Sequence, residues 1–425
     1  MMGSLAFMGI LCLVHACNTA EELEADAAMP YSSHDGSGSF FEHPPNSGRA
    51  PLTLLPQDAG DESPACLDGS PYGFYFNPSK TGSTKWTINI EGGGWCYDEA
   101  LCYERSKTKL GSSKNWSSTA GCGCMNTIDD RIDPDCNCLY MPYGDGASFS
   151  GFRPKPWAVP TEPGKFLTFR GIKNLDATLD WAFAHGLDKA TEFVLTGGSA
   201  GGLSTFLHAD RVAARVHARA KSIEKVVAAP VVGYFLDHDN FGHTTGTPNT
   251  PSWHHANYTS WMRYIYAMQN LTFGSDGGLT SACERMHPDE PGLCFMSPHV
   301  VPVIRTPIFM FNSKYDAWQL SNEFQSDWTT KAEQQGVLQY GKDFITQLGA
   351  VRAQSRNGAF ITSCICHGCP WGDPDTLKID DKSVYQHYAA WMAGNTTGAA
   401  SIHVDTRLPN GGGKIDHPQC KKFPD

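Results

Sequence analysis

The stretch Gly197–Gly202 constrains this chain more than any other part of its sequence. Ser199 lies at its centre in the pattern Gly-x-Ser-x-Gly, after the strand-like Glu192–Leu195 and before the helix-like Leu203–Ala209. This is the pattern of a nucleophile elbow, because flanking glycines let the backbone adopt the strained turn that exposes the serine hydroxyl. We therefore interpret Ser199 as a candidate nucleophile. The alternative is a glycine-rich turn that contains a serine without a chemical role.

Strands and helices alternate on both sides of this turn. The sequence predicts strands at 166–169, 192–196 and 225–228, separated by helices at about 172–183 and 203–216. Such alternation predicts an α/β fold, with a mostly parallel central sheet and helices on both of its faces.

A second glycine-rich loop, Glu91–Cys96, directly follows the predicted strand Trp86–Ile90. Hydrolases of the α/β class build half of their oxyanion hole from a loop in this position. Backbone N–H groups of glycine can approach a developing negative charge because no Cβ intervenes. We expect the N–H groups of Gly93, Gly94 and Ala200 to form this hole. A flexible turn is the alternative.

Two further residues complete a candidate catalytic set with Ser199. Asp316 follows the apolar strand Pro307–Asn312, and His367 follows the predicted strand Gly358–Ser363. The order Ser, Asp, His is that of α/β-hydrolases, and residues that follow parallel strands meet at the carboxyl edge of the sheet. His367 would act as the base and Asp316 would orient it. Alternatively, Asp316 forms a turn or a helix cap, and His367 packs among, or binds a ligand with, the neighbouring cysteines.

The 15 cysteines predict disulfide bonds in an oxidising compartment. Residues 96–138 are polar and cysteine-rich, so we expect a disulfide-tied surface insertion in which Cys96 pairs with Cys102. The remaining pairing is left open. A zinc site is disfavoured, since structural zinc cysteines are usually separated by about two to four residues. Its four ligands would be Cys122, Cys124, Cys136 and Cys138. No metal and no cofactor are predicted.

The predicted domain organisation has three parts. Residues 1–16 resemble a secretory signal peptide, with cleavage as late as residue 20 as the alternative. Residues 17–63 are acidic and rich in Ser, Gly and Pro, which predicts a flexible leader. Residues 64–425 are expected to form one domain with a lid-like insertion at about 234–300. The alternative for the aromatic residues of this insertion is a small satellite core. Within that insertion, His254 and His255 are not expected to bind metal.

Composition and sequons predict the surroundings in which the protein works. The net charge of −11 and the absence of a basic block argue against a nucleic-acid partner. Beyond the leader, no apolar stretch approaches the roughly 20 residues of a membrane span. Asn-x-Ser/Thr sequons predict a secreted glycoprotein. They lie at Asn115, Asn257, Asn270 and Asn395.

Six sequence blocks, taken together, resemble the pectin acetylesterase/Notum family. In chain order they are Cys66–Pro71, Glu91–Cys96, Asp145–Phe149, Gly198–Gly202, Gly233–Asp237 and Gly358–Ile361. The resemblance implies an α/β-hydrolase-like fold and a serine carboxylesterase whose triad is Ser199, Asp316 and His367. The block Glu91–Cys96 is more similar to plant and microbial members than to Notum itself.

The predicted function is a secreted serine carboxylesterase. It would remove O-acyl groups, first of all O-acetyl, from a polysaccharide such as pectin through an acyl-enzyme intermediate. One alternative is a Notum-like deacylase that removes a longer fatty acyl group from a protein or lipid. The other is a catalytically inactive, carbohydrate-binding relative. The oligomeric state cannot be read from the sequence.

Overall fold

The fold is built on a ten-stranded β-sheet. This computed structural model describes residues 49–57, 62–128, 131–133, 135–241, 257–271, 281–326, 328–368, 377–409 and 420. The described strands are, in chain order, β1 (Ala50–Leu54), β2 (Gly73–Asn77), β3 (Lys85–Ile90), β4 (Thr119–Ala120), β5 (Thr127–Ile128), β6 (Arg131–Ile132), β7 (Asn137–Met141), β8 (Trp157–Ala158), β9 (Phe166–Leu167), β10 (Glu192–Gly198), β11 (Lys225–Val231), β12 (Phe309–Ser313), β13 (Gly358–Thr362), β14 (Lys378–Ile379), β15 (Lys382–Ser383) and β16 (Ile402–Val404).

The strand order of the large sheet is β16-β13-β12-β11-β10-β3-β7-β2-β1-β4. Every pairing from β16 to β7 is parallel, whereas β2, β1 and β4 join the edge in antiparallel fashion. The central strands are buried apolar runs; all five residues of β12, for example, are buried. Such runs are typical of parallel strands that are covered on both faces. The predicted α/β class with a mostly parallel sheet is confirmed.

Helices connect these strands. The described α-helices are α1 (Glu99–Ser106), α2 (Gly171–Ala184), α3 (Ala200–Arg219), α4 (Tyr258–Met268), α5 (Ser281–Met286), α6 (Ser297–Val300), α7 (Ala317–Asn322), α8 (Lys331–Gln347), α9 (Gly349–Arg352) and α10 (Val384–Met392). Short 3₁₀ helices span Ser113–Asn115, Leu187–Lys189, Pro291–Phe295, Val301–Val303 and Gly398–Ser401. In the described part of the chain, no helix is long and apolar enough to cross a membrane.

The two faces of the sheet build two separate cores. Leu195 of β10 contributes to a cluster with apolar residues of α2, α3 and α8, such as Phe206. Val194, its neighbour in the strand, contributes to the opposite cluster, which includes Tyr388 and Trp391 of α10. Alternate residues of a strand point to opposite faces, so this division places helices on both sides of the sheet.

Two sequence-based strand assignments are corrected by the structure. The predicted strand 166–169 is only the short β9, which pairs with β8 outside the central sheet. The two parallel neighbours of β3 are β10 and β7, and β7 begins at the end of the segment assigned to a surface insertion. Alternation alone could not show this, because the partner of a strand is chosen by long-range packing.

The sheet also begins earlier than the sequence indicated. Strand β1 lies within residues 17–63, the predicted flexible leader, yet it pairs with β2 and β4. Ala50 of this strand is buried in the smaller core and Leu52 packs against that core, so tertiary contacts order a segment with few large apolar residues. The described residues all belong to one compact unit, 36–425. The predicted signal peptide and the pair His254 and His255 lie outside the described residues.

Five disulfide bonds are present in the described chain. The expected Cys96–Cys102 pair is confirmed. The four cysteines weighed as zinc ligands form two bonds, Cys122–Cys138 and Cys124–Cys136, which fasten the segment before β7 to that strand. Cys283–Cys294 lies inside the lid-like insertion, and Cys364–Cys420 joins Cys420 to the segment after β13.

We predict that Gly233→Ala destabilises the fold. A Cβ at Gly233 would overlap the backbone of Gly202 in helix α3, so the helix would have to move away from strand β11. Overpacking of this kind costs about 1–3 kcal/mol, which urea unfolding can measure. Gly349→Ala is the matched control, because nothing lies within 4 Å of a Cβ there. Equal stability of the two variants would contradict the described packing.

Candidate active site

Ser199 occupies a strained turn between strand β10 and helix α3. Its φ and ψ angles are 57° and −124°, a region that a residue with a side chain rarely adopts. The turn is held because its N–H donates to Val231 O over 2.9 Å and its carbonyl accepts from Leu203 N over 3.0 Å. The 20-residue helix α3 directs its positive dipole end at this residue. The predicted elbow geometry is therefore present.

Asp316 and His367 form a direct hydrogen-bonded pair. Nδ1 of His367 lies 2.9 Å from both carboxylate oxygens of Asp316, whose side chain is fully buried. Asp316 also caps helix α7 by accepting from Gln319 N over 3.0 Å, so the backbone fixes the carboxylate. Because Nδ1 donates to Asp316, Nε2 is the ring nitrogen that can accept a proton.

These three residues follow strands of the same parallel array. Ser199 follows β10, Asp316 follows β12 and His367 follows β13, so all lie at the carboxyl edge of the sheet. The structure thus brings Asp316 and His367 together and places Ser199 on the same edge. Asp316 is also the helix cap that the sequence offered as its alternative role, and the two roles use the same carboxylate.

The glycine-rich loop after β3 packs directly on the elbow. A Cβ at Gly92 would lie 2.7 Å from Ser199 Cβ and 3.3 Å from Ala200 N. Gly93 and Gly94 have φ angles of 147° and 62°, which strain any residue with a side chain. The loop named from the sequence is therefore adjacent to Ser199. Gly92, which the sequence did not single out, is its point of contact.

Arg105 and Ser148 hold this loop in place. The guanidinium of Arg105 donates to Gly93 O over 2.7 Å and to Trp95 O over 3.0 Å. Ser148 Oγ accepts from Trp95 Nε1 and donates to Ala200 O, both over 2.8 Å. Ser148 thereby ties the loop to the elbow, which gives a structural role to the turn Asp145–Ser148. Arg105 carries no sequence signal, because it lies in an ordinary polar helix.

A cluster of aromatic rings lies beside His367. Trp95, Phe235 and Trp318 pack together with ring centroids 4.8–5.5 Å apart, and the rings of Phe235 and Trp318 each lie 6.5 Å from that of His367. The lid-like insertion contributes further members, since Tyr258 lies 6.1 Å from Trp95. All but Trp318 are almost completely buried. We call Trp95, Phe235, Tyr258, Phe295 and Trp318 the aromatic cluster.

The four sequons differ in exposure. Asn115 and Asn395 are exposed. Asn257 is partly buried; it caps helix α4 by accepting from Ser260 N over 3.1 Å, and its Nδ2 donates to Asp239 over 3.1 Å. Asn270 is also partly buried, and its Nδ2 donates to Phe152 O over 3.2 Å.

The mostly parallel sheet, the strained serine and the Asp–His pair at neighbouring strand ends define the α/β-hydrolase class. The family model for pectinacetylesterase matches residues 45–412. The chain belongs to this family of carboxylesterases.

Relatives of two kinds are similar to the chain. Pectin acetylesterase 11 of Arabidopsis thaliana is 30% identical over 351 residues, which cover 78% of this chain and 82% of the relative. Palmitoleoyl-protein carboxylesterase NOTUM of Drosophila melanogaster is 27% identical over 355 residues, which cover 81% of this chain and 49% of the relative. The structure of the Wnt deacylase Notum from Drosophila shares the fold, with a TM-score of 0.69 and 23% identity over 85% of this chain and 98% of that chain.

We predict a far-downfield imidazole proton in the NMR spectrum from Nδ1–H of His367. A buried N–H that donates to a carboxylate is strongly deshielded and exchanges slowly. The signal should disappear in His367→Ala and in Asp316→Ala. Asp380→Ala, which removes the carboxylate 3.9 Å from His403, serves as the control and should leave it in place. Persistence of the signal in Asp316→Ala would contradict the pairing.

Proposed function

We propose that the chain is a serine carboxylesterase that works through an acyl-enzyme, with Ser199, His367 and Asp316 as its triad. The hydrogen-bonded pair of Asp316 and His367 carries this proposal, because it has the geometry that turns an imidazole into a base. Ser199 needs such a base, since its hydroxyl is a poor nucleophile on its own.

The chemistry proceeds in two halves. Ser199 Oγ attacks the ester carbonyl while Nε2 of His367 takes its proton, and Asp316 stabilises the imidazolium that forms. The N–H groups of Ala200, Gly93 and Gly94 hold the oxyanion. His367 returns the proton to the leaving alcohol, which frees the first product. Water then repeats the same steps on the acyl-enzyme, releasing the acid and regenerating Ser199.

For the substrate, we propose a short O-acyl group, acetyl first of all, on a polysaccharide. The rings of the aromatic cluster pack on one another beside His367, and we propose that they limit the length of the acyl group that fits there. The names of the relatives at 30% identity, pectin acetylesterases, agree with a pectin-like substrate. A fatty-acyl deacylase like the NOTUM relatives is the second candidate, and a carbohydrate-binding protein without activity is the third.

We also propose that the protein works outside the cytosol as a glycoprotein. Five disulfides in the described chain support an oxidising compartment. All four sequons remain proposed sites, and exposure favours Asn115 and Asn395. No cofactor or metal is required by the proposed chemistry.

We predict that Ser199→Ala lowers turnover of nitrophenyl acetate by about 10⁶-fold, the loss seen when a serine nucleophile is removed. Ser204→Ala is the matched control, since it removes a buried hydroxyl that has no hydrogen-bond partner among the described residues.

In the unsubstituted protein, kcat/KM should fall as the acyl chain lengthens beyond acetyl or butyryl. A rise of kcat/KM toward dodecanoyl esters would favour the fatty-acyl deacylase over the acetylesterase. Retained turnover in Ser199→Ala would overturn the triad.

For glycosylation, we predict that Asn115→Gln and Asn395→Gln each remove one glycan from protein produced in a secretory host. Their exposed side chains leave room for the sugar. Mass spectrometry of glycopeptides measures occupancy at each site, with Asn270→Gln as the comparison. Full occupancy at Asn270 with none at Asn115 and Asn395 would contradict the argument from exposure.

A further inference from the structure

A buried carboxyl group without an assigned role lies behind the Asp316–His367 pair. Glu323 directly follows helix α7, which Asp316 caps, and its side chain is fully buried. Gln319 lies between them in sequence and donates its backbone N–H to Asp316 Oδ1. Burying an ionised carboxylate is unfavourable unless it is paired, so the protonation state and partners of Glu323 need an explanation.

The charges that act on Glu323 most strongly are both negative. Burial is the largest cause and raises the pKa of Glu323 well above its usual range. The carboxylates of Asp316 and Asp237 raise it further, while the hydrogen bonds from Tyr340 and from the backbone of Leu236 lower it. Tyr258 faces the same carboxyl group from helix α4.

On the opposite side of Tyr340, His238 lies next to the carboxylate of Asp343. The ring of His238 lies 4.9 Å from that of Tyr340, and its Nε2 lies 3.2 Å from Asp343. A positive charge on His238 would therefore be balanced by Asp343 rather than directed to Glu323.

The hydrogen bonds around Tyr340 can be counted proton by proton. Its hydroxyl lies 2.9 Å from Gln319 Oε1 and 2.9 Å from Glu323 Oε1. The Gln319 oxygen also accepts from Leu236 N over 3.1 Å, which fixes the orientation of the amide. A phenol has one proton, so it can donate to only one of these two oxygens.

With the Gln319 amide in this orientation, only one arrangement places a proton in both contacts of Tyr340. If Glu323 is ionised, Tyr340 donates to it, and the phenol oxygen faces Gln319 Oε1 with no proton between them. If Glu323 is a neutral acid, it donates to the oxygen of Tyr340, and Tyr340 donates to Gln319. The second arrangement places a proton in both contacts of Tyr340, and a buried contact without a proton is costly. Gln319 Nε2 and Glu323 Oε2 have no hydrogen-bond partner among the described residues in either arrangement, so they do not distinguish the two.

We propose that Glu323 is a neutral carboxylic acid and a positioning residue, which holds Gln319, and through it the helix cap Asp316, by way of Tyr340. The inference rests on the proposed triad. Asp316 then bears the charge directed at His367, and the hydrogen-bonded chain keeps the start of α7 fixed. The same series of hydrogen bonds includes Leu236, which is next to Phe235 of the aromatic cluster in the sequence. It therefore also fixes the position of the aromatic side chain beside the imidazole of His367.

Neutron diffraction from deuterium-exchanged crystals tests the protonation directly. We expect one deuteron on Glu323 directed at Tyr340, and one on Tyr340 directed at Gln319. A deuteron on Tyr340 that points to Glu323, with none on Glu323, would overturn the proposal. This measurement does not depend on esterase activity, so it stands whether or not the triad is correct.

Variants test the positioning role. Glu323→Ala and Tyr340→Phe should each lower kcat for nitrophenyl acetate about tenfold with KM unchanged, as expected for the loss of one buried hydrogen bond that orients the triad. Glu323→Gln should restore kcat, since its amide donates to Tyr340 as the neutral acid does. If Glu323→Gln is as impaired as Glu323→Ala, the positioning role of a neutral acid is wrong.

The failure of this inference can be separated from failure of the proposed function. If the unsubstituted protein hydrolyses no ester, the triad is wrong, whatever the deuteron positions. If it hydrolyses esters and Tyr340→Phe has unchanged kcat, the triad stands and the positioning role is overturned. Should Glu323→Gln not fold, Tyr340→Phe and the neutron map still decide the question.

Discussion

The close approach of helix α3 to strands β3 and β11 is the constraint on which the rest of the structure depends. It is possible because glycines occupy the contact: a Cβ at Gly201 would overlap the backbone at Ile90, and one at Gly202 would overlap Val231. The short distance forces the turn at Ser199 into its positive φ, and the surrounding backbone hydrogen bonds hold it there. The strain is thus offset by packing of the whole sheet and helix, rather than by the site itself.

Around this fixed turn, the site is assembled from distant parts of the chain that are tied to one another by buried polar contacts. Arg105 holds the glycine-rich loop, Ser148 joins that loop to Ala200, and helix α7 presents Asp316 to His367. The first two contacts end on backbone carbonyl groups, and the third joins two side chains. Such buried hydrogen bonds leave few alternative conformations, which keeps a site of several loops in one geometry.

The sequence predicted those elements in which local pattern and tertiary packing agree. Strand β10 and helices α2 and α3 have strong apolar patterns, and the Ser, Asp and His positions were proposed from their places after strands. Strand β7 was not predicted, and β9 was predicted as a longer strand than the structure has. Both errors arise because pairing in a sheet depends on partners far along the chain. The roles of Gly92 and Arg105 likewise arise from long-range contacts, and cysteine spacing could not give the pairing of Cys122 with Cys138.

The central proposal is that Ser199 is the activated nucleophile of the triad. Its most direct test is reaction of the protein with a fluorophosphonate, followed by intact-mass measurement and peptide mapping. The account predicts a single adduct per chain, on the peptide that contains Ser199, which fails to form when the protein is unfolded. An adduct on a different serine, or an unlabelled protein that still hydrolyses acetyl esters, would contradict it.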